Sequence, residues 1–326
     1  MRSNEIQLAN RLDASACIGD NRNMSFMPRF AHVFAISLLL ASGFAASAQQ
    51  LPAALTTDPP VDKVHPATMQ SFQIPSHGQP MNAIAYLAAG EGPHPVVIVL
   101  HGFPGNEKNL DLAQAIRRAG WNAIFFNYRG SWGTPGAFSF AHAIEDTQAA
   151  IAWLREPANA AKLHIDSKRI VLVGHSMGGF MAAYAGSHDP AILGTALISA
   201  ANFHDWAGGD LKPEQEAANR ARLVKALADN DILPLAGCTA EGLADEMLSH
   251  RKPWNFVDYA AMFGARPLLL ITSDDGLAPG ADHLAAAARQ SGNTHVTEQH
   301  FATDHSYSDQ RLALQATVLN WLATLQ

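Results

Sequence analysis

A serine lies between glycines in the hexapeptide GHSMGG, residues 174–179. The apolar run RIVLV at 169–173 precedes it, and a helix-forming stretch follows. A nucleophile on a sharp strand-to-helix turn needs small flanking residues, because a Cβ there would clash with the strand or the helix. The pattern predicts that Ser176 is an exposed nucleophile. The Met177 N–H, at the start of the helix, is the expected donor to an oxyanion.

A second glycine-rich turn, HGFPG at 101–105, follows the apolar run PVVIVL at 95–100. A tight turn at the carboxyl end of a strand can direct a backbone N–H toward a nucleophile on a neighbouring strand. We therefore expect the Phe103 N–H to be the second oxyanion donor.

The residues that could supply an acid and a base follow two later apolar runs. Asp274 and Asp275 follow the run at 267–272 after one intervening residue, Ser273, and side-chain alternation lets only one of them face the site. The other is expected in a turn or a helix cap. His300 and His305 come near the end of the chain. A general base must reach the serine from a loop, which favours His305, beyond the last predicted strand.

Metal and nucleic-acid functions are not indicated. The 15 histidines include no HExxH motif and no paired Cys/His spacing, so a metal site is not expected. Lys and Arg total 22 against 29 Asp and Glu, a net charge of -7. A protein that binds the phosphate backbone of a nucleic acid would need an excess of Lys and Arg over Asp and Glu.

These residues require a scaffold that brings several strand ends together. Apolar, β-branched runs alternate with helical stretches, which predicts a mostly parallel sheet with helices on both faces. An antiparallel hairpin is expected ahead of these runs, and a strand and an amphipathic helix after them, giving an α/β fold of eight strands. The expected strands are 70–74, 81–87, 95–100, 123–127, 169–173, 196–199, 267–272 and 295–301, and the main helices 110–119, 141–154, 177–187 and 310–325.

The segment 202–265 interrupts this alternation, because it is long and more charged. Helical pieces at 213–228 and 239–250 suggest a lid inserted over the sheet. Its aromatic residues either line an acyl pocket or pack the lid onto the sheet. These residues are Phe203, Trp206, Trp254 and Phe256.

Charged residues leave similar alternatives. Arg129 follows a predicted strand and could meet a substrate carboxylate or form a structural ion pair. Together with Trp206 and Trp254 of the lid, it is assigned to substrate binding. The lid acids Glu214, Glu216 and Glu241 could hold a substrate amine or lie on a solvated helix face.

Residues 27–49 have the pattern of a secretory signal peptide: Arg29, an apolar run at 33–40, and the small residues ASA at 46–48. We expect cleavage after Ala48 and export as a single domain, 49–326. A membrane anchor is the alternative, but the run is shorter than the ~20 apolar residues of a span. Residues 1–23 lack signal character, so we expect synthesis to start at Met24 or Met27. Cleavage would leave Cys238 alone, without a disulfide partner.

The order Ser176, acid, His305 and the motifs around them resemble the α/β-hydrolase superfamily. HGFPG is similar to its oxyanion turn and GHSMGG to its nucleophile elbow. The acid loop of that family often has a proline four residues after the acid, and Pro279 then selects Asp275. NYRGSWG at 127–133 resembles a loop of the prolyl-oligopeptidase-like and dienelactone-hydrolase-like branches. The sequence shows no propeller domain of the oligopeptidase kind and no tyrosine beside the HGFPG turn. Both departures weaken an oligopeptidase assignment but not the assignment to a hydrolase.

The resemblance implies an exported, cofactor-free serine hydrolase that acts through an acyl-enzyme. A carboxylesterase for small or medium acyl esters is the favoured function. A serine aminopeptidase or amidase acting on peptide-like substrates is the alternative. A non-catalytic binding module of the same fold is a third reading, although such a module would not need a complete Ser, His and Asp set. The residues do not indicate an oligomeric state, and after cleavage no membrane anchor is expected.

Overall fold

The computed structural model describes residues 51–325, so the predicted signal peptide, its cleavage site and the expected start codon lie outside the described residues. Eight strands form one sheet in the order β1-β2-β4-β3-β5-β6-β7-β8. The strands are β1 (Thr68–Ser76), β2 (Gln79–Leu87), β3 (His94–Leu100), β4 (Asn122–Phe126), β5 (Ile165–His175), β6 (Gly194–Ile198), β7 (Leu268–Ser273) and β8 (Val296–Phe301).

The sheet is parallel from β4 through β8, and the leading hairpin β1-β2 joins it antiparallel. The central strands are buried along nearly their whole length, as in β3, where residues 95–100 are all buried. Continuous β-branched runs form such strands because both faces must be covered by apolar neighbours. The predicted mostly parallel, eight-stranded α/β fold is therefore confirmed.

Helices cover both faces of this sheet. On one face α2 and α10 pack against Val97, Val99 and Val171. On the other face α3, α5 and α9 form the larger core. The helices are α1 (Ala53–Thr56), α2 (Leu110–Arg118), α3 (Phe140–Arg155), α4 (Pro157–Lys162), α5 (Met177–His188), α6 (Phe203–Trp206), α7 (Glu216–Asp229), α8 (Ala240–Ser249), α9 (Ala278–Gln290) and α10 (Arg311–Ala323). None of the helices within residues 51–325 is long and apolar enough to cross a bilayer.

The insertion between β6 and β7 contains α6, α7 and α8, with 3₁₀ helices at Pro213–Gln215 and Phe256–Phe263. Its two longer helices lie where the sequence predicts them, whereas α6 and the second 3₁₀ helix were not predicted. Aromatic side chains attach the insertion to α5. Phe203 stacks on Phe180 of α5 with ring centroids 4.1 Å apart, and Trp254 lies 5.5 Å from Phe203. Packing of the lid, rather than lining of an acyl pocket, explains Phe203, Trp254 and the fully buried Phe256.

Candidate active site

Ser176 occupies the single position between β5 and α5. Its backbone has φ 57° and ψ -121°, a conformation that residues with a side chain rarely adopt. The Ser176 N–H donates to Ile198 O at 2.9 Å, and its own carbonyl accepts from the Gly179 N–H at 2.9 Å. The strand on one side and the helix on the other thus hold the serine in a strained turn.

The glycines around Ser176 are required by space. A Cβ on Gly174 would overlap the backbone of Gly178, and a Cβ on Gly178 would overlap the carbonyl of Leu100. A Cβ on Gly179 would lie 2.5 Å from Ala200 Cβ. The steric reason inferred from the sequence for small residues at this turn is therefore confirmed.

The glycine-rich turn at 101–105 lies directly beside the serine. A Cβ on Gly102 would be 2.9 Å from Ser176 Cβ and 3.3 Å from Ser176 Oγ. Within residues 51–325, neither the Phe103 N–H nor the Met177 N–H donates a hydrogen bond. Both expected oxyanion donors are therefore free to bind a negatively charged oxygen.

His305 and Asp275 form a hydrogen bond of 2.7 Å between Nδ1 and Oδ2. The Asp275 side chain is 5% exposed and the His305 side chain 40%. Burial raises the pKa of Asp275, but hydrogen bonds from His305 and from the Leu277 N–H, at 2.9 Å, outweigh burial and hold the pKa well below its usual value. The ionised carboxylate accepts from Nδ1–H, which leaves Nε2 of a neutral His305 free to accept a proton.

The neighbouring acid, Asp274, faces away from this pair. Its carboxylate lies 3.1 Å from His300 Nε2, and both side chains are largely exposed. His300 Nδ1 lies 2.9 Å from Thr272 Oγ1. Of the two acids that side-chain alternation left open, the structure brings Asp275 to His305.

A cavity of about 220 Å³ brings Ser176, His305 and Phe103 together. Residues 102–107 also line this cavity, and Asn230, just after α7, lines it from the insertion. Residues 51–325 contain no cluster of three or more His, Cys, Asp or Glu side chains arranged to hold a metal ion.

The contact of His175 with the loop that carries His305 was not predicted from the sequence. It is buried, its Nε2 lies 2.8 Å from the carbonyl oxygen of His305, and the two ring centroids are 4.7 Å apart. Burial, with a smaller effect of the nearby His305, lowers the pKa of His175 to about 3. His175 is therefore neutral and donates from Nε2 to the loop that carries His305. His175 is at the variable second position of the GxSxG motif, so the motif does not indicate a role for it.

A cluster of buried hydroxyl groups beneath Asp275 was also not predicted from the sequence. Ser199 Oγ lies 2.9 Å from both Ser273 Oγ and Tyr307 Oη. Burial raises the pKa of Tyr307 to about 12, which keeps its hydroxyl protonated. A hydrogen bond from Ser199 contributes to lowering the pKa of Asp275. In the sequence, this cluster is indicated only by the positions of Ser199 and Ser273, which lie at the carboxyl ends of neighbouring strands.

The structure corrects the assignment of Arg129 to substrate binding. Its Nε lies 2.5 Å from Asp146 Oδ1, its backbone N–H donates to Asp146 Oδ2 at 2.7 Å, and Nη2 lies 2.5 Å from Glu145 Oε2. The Arg129 side chain is almost fully buried. Arg129 therefore anchors its loop to α3, which is the structural ion pair that the sequence left open.

The lid residues assigned to substrate binding are not at the Ser176 cavity. Trp254 is buried and stacks on His250 at 4.4 Å, so its assignment is corrected to packing. Trp206 is half-buried, lies 6.2 Å from the Phe103 ring, and lines a separate cavity of about 530 Å³ with Leu277. Among the lid acids, Glu216 is bound by Arg251 at 2.7 Å.

The chain shares sequence features with known proteins over its central part. The family model BD-FAE matches residues 84–201, a range that includes Phe103 and Ser176 but ends before Asp275. An uncharacterized protein of Mycobacterium tuberculosis is 33% identical over 104 residues, which are 31% of this chain and 35% of that protein. The chain thus spans about a third of that relative's length.

Solved structures share the fold over most of the chain. An esterase of Pyrococcus furiosus superposes with a TM-score of 0.58 at 18% identity, covering 82% of this chain and 99% of that one. A hyperthermophilic esterase from Pyrobaculum calidifontis has a TM-score of 0.59 at 18% identity, covering 80% and 86%. The chain therefore has the α/β-hydrolase fold and shares it with these esterases over about four fifths of its length.

Proposed function

We propose that this protein is a serine hydrolase that cleaves carboxylic esters of small or medium acyl groups through an acyl-enzyme on Ser176. One observation carries the proposal. Ser176 lies on a strained turn in the same cavity as His305, and the imidazole of His305 is held at 2.7 Å by the buried carboxylate of Asp275. Acyl transfer requires a nucleophile, a base and an orienting acid, and these three side chains are our candidates for those roles.

The first half-reaction forms the ester with the protein. His305 Nε2 takes the proton of Ser176 Oγ while Oγ attacks the carbonyl carbon of the substrate. The carbonyl oxygen becomes an oxyanion that accepts hydrogen bonds from the Phe103 and Met177 N–H groups. When the tetrahedral intermediate collapses, the bond to the leaving oxygen breaks, and His305 returns its proton to that oxygen. The alcohol departs and the acyl group stays on Ser176.

The second half-reaction uses water as the nucleophile. His305 removes a proton from the water as the water oxygen attacks the acyl carbon, and the same two N–H groups bind the second oxyanion. His305 then protonates Ser176 Oγ, and the carboxylic acid leaves. Asp275 remains ionised throughout and stabilises the imidazolium form of His305. Loss of one oxyanion donor typically costs about 2.7 to 4 kcal/mol of transition-state stabilisation.

Two observations favour esters over amides. The solved structures with the same fold named above are described as esterases. Of the three lid acids that could hold the amine of an aminopeptidase substrate, Glu216 is already bound by Arg251. The size of the Ser176 cavity, about 220 Å³, suits a small or medium acyl group.

The proposal is tested by measuring turnover of p-nitrophenyl esters with acyl chains of two to twelve carbons by residues 49–326. Aminoacyl p-nitroanilides are assayed beside them, with Ser176→Ala as the blank. We expect ester turnover with an optimum at short or intermediate chain length, and none in the variant. Faster anilide turnover would make the protein an amidase. Failure to react with esters and with a fluorophosphonate would indicate the binding module instead.

We further propose that the protein is exported and acts on a small-molecule ester outside the cytoplasm. The signal-peptide pattern at 27–49 supports this proposal. Expression of the full chain in a bacterium, followed by fractionation and intact-mass measurement, tests it. We expect a periplasmic or secreted product that begins at Gln49, and a cytoplasmic product that retains Met1 would contradict export.

A further inference from the structure

The guanidinium group of Arg311, the first residue of α10, bridges two loops of the candidate site. Nη1 donates to the carbonyl of Ser306 at 3.0 Å, next to His305. Nη2 donates to Asn109 Oδ1 at 3.0 Å, and Nε donates to Asp111 Oδ2 at 2.9 Å. Asn109 is the last residue of the loop that begins with the oxyanion turn at 101–105, and Asp111 lies in the first turn of α2, which follows that loop. One side chain therefore links the loop of the proposed base to the loop of a proposed oxyanion donor.

The charges around Arg311 favour this geometry. Asp111 also accepts from Gln315 Nε2 at 2.8 Å. Burial raises the pKa of Asp111, but hydrogen bonds and the charge of Arg311 outweigh burial, so the pKa lies below its usual value. Asp111 is thus an ionised, oriented acceptor. A planar guanidinium can donate in several fixed directions at once, whereas the ammonium group of lysine is a point charge.

The loop that carries His305 is held at two consecutive carbonyls. His175, at the end of β5, binds the carbonyl of His305, and Arg311 binds the carbonyl of Ser306. The first contact ties the loop to the strand that leads to Ser176. The second ties it to the loop of Phe103. These two contacts connect the loop of the proposed base to the elements that carry the proposed oxyanion donors.

We propose that Arg311 is a positioning residue for ester hydrolysis, which sets His305 relative to the oxyanion turn. This inference rests on the proposed function. A small misplacement of a catalytic group can cost about 100-fold in rate without loss of substrate binding. We therefore expect Arg311→Lys and Arg311→Gln to lower kcat about 10- to 100-fold while KM stays nearly constant.

The experiment compares these variants with Arg220→Lys. Arg220 makes a similar forked contact with Asp245, at 2.6 and 2.8 Å, on the exposed surface of the insertion. The readouts are kcat and KM for a p-nitrophenyl ester, the rate of fluorophosphonate labelling, and deuterium exchange of residues 302–310. We expect slower labelling and faster exchange in both Arg311 variants, and no change in Arg220→Lys. Methylguanidinium added to Arg311→Ala should restore part of kcat.

Two results would overturn the proposal. One is wild-type kcat and wild-type exchange in Arg311→Lys, and the other is a rise in KM alone. If the Arg311 variants do not fold, Asp111→Asn replaces them, with a smaller loss of kcat expected and unchanged kcat contradicting the inference. If the wild-type protein cleaves no ester, the proposed function fails, and the exchange comparison still decides whether Arg311 holds the loop.

Discussion

Two Asp-His pairs lie side by side where β7 and β8 end, and only one of them has its histidine in the cavity of Ser176. Asp275 and His305 are 2.7 Å apart, and the Asp275 side chain is 5% exposed. Asp274 and His300 are 3.1 Å apart, with side chains 64% and 51% exposed. Adjacent acids in the sequence therefore enter opposite environments, because successive side chains leave a strand end in different directions.

The two pairs contain the same residue types and differ in their environment. The buried carboxylate of Asp275 is surrounded by donors and stays ionised, so it can orient His305 and stabilise its positive charge. Water competes for the exposed pair, and such pairs contribute only about 0 to 1 kcal/mol. A variant at one acid should therefore have a very different effect from the same variant at the other.

The largest effect is expected from Asp275→Asn. Asparagine keeps the size of the side chain but offers no negative charge to His305 Nδ1–H, so kcat should fall about 10⁴-fold. Asp274→Asn is the matched control and should keep kcat within about 2-fold, because its partner His300 is exposed. Steady-state kinetics with a p-nitrophenyl ester measure both. Equal losses in the two variants would remove the distinction between the pairs.

A smaller effect is expected from Tyr307→Phe, which takes one partner from Ser199 beneath Asp275. A lost hydrogen bond of about 1 kcal/mol corresponds to a loss of roughly 3- to 10-fold in kcat. Tyr259→Phe, which removes a hydroxyl bound to the Pro253 carbonyl in the insertion, is the control. Unchanged kcat in Tyr307→Phe would limit the buried hydroxyl cluster to a structural role.

The burial of His175, next to the loop of His305, predicts how stability depends on pH. Burial lowers the pKa of His175 from 6.5 to about 3, so below pH 6.5 the unfolded chain binds a proton that the folded protein does not. Stability should therefore fall as the pH decreases through this range. In His175→Gln the free energy of unfolding should decline less steeply between pH 6.5 and 4. Denaturant unfolding at several pH values measures the slopes, and parallel curves would contradict this prediction.

The smallest effect is expected from His300→Ala. The imidazole is exposed and contacts Asp274 and Thr272 outside the Ser176 cavity. We expect kcat within about 2-fold of wild type and a stability change below about 1 kcal/mol. Thermal unfolding and ester kinetics test this. A large loss of kcat would mean that the second pair takes part in the reaction.

The sheet could be predicted from the sequence because its central strands are buried on both faces and read as unbroken apolar runs. The start of β5 was missed, since residues 166–168 are polar and only partly buried or exposed. The glycine turns beside Ser176 were predictable because backbone sterics leave few alternatives there. These signals are local in the chain.

Contacts between distant elements could not be predicted in the same way. The choice between pocket and packing for Trp254, and between substrate and ion pair for Arg129, depends on which helix faces each side chain. The contact of His175 with the loop of His305 joins residues 130 positions apart. Patterns of residue type do not contain such distances, so these roles needed the three-dimensional structure.

The central claim is that Ser176 carries the acyl group during hydrolysis. The most direct measurement is peptide mass spectrometry of protein quenched with acid during turnover of p-nitrophenyl acetate. The proposed mechanism predicts one acetyl group on the peptide that contains Ser176 and no adduct in Ser176→Ala. It also predicts that this adduct forms more slowly in Asp275→Asn than in Asp274→Asn. Turnover without acetylation of Ser176, or undiminished turnover in Ser176→Ala, would contradict it.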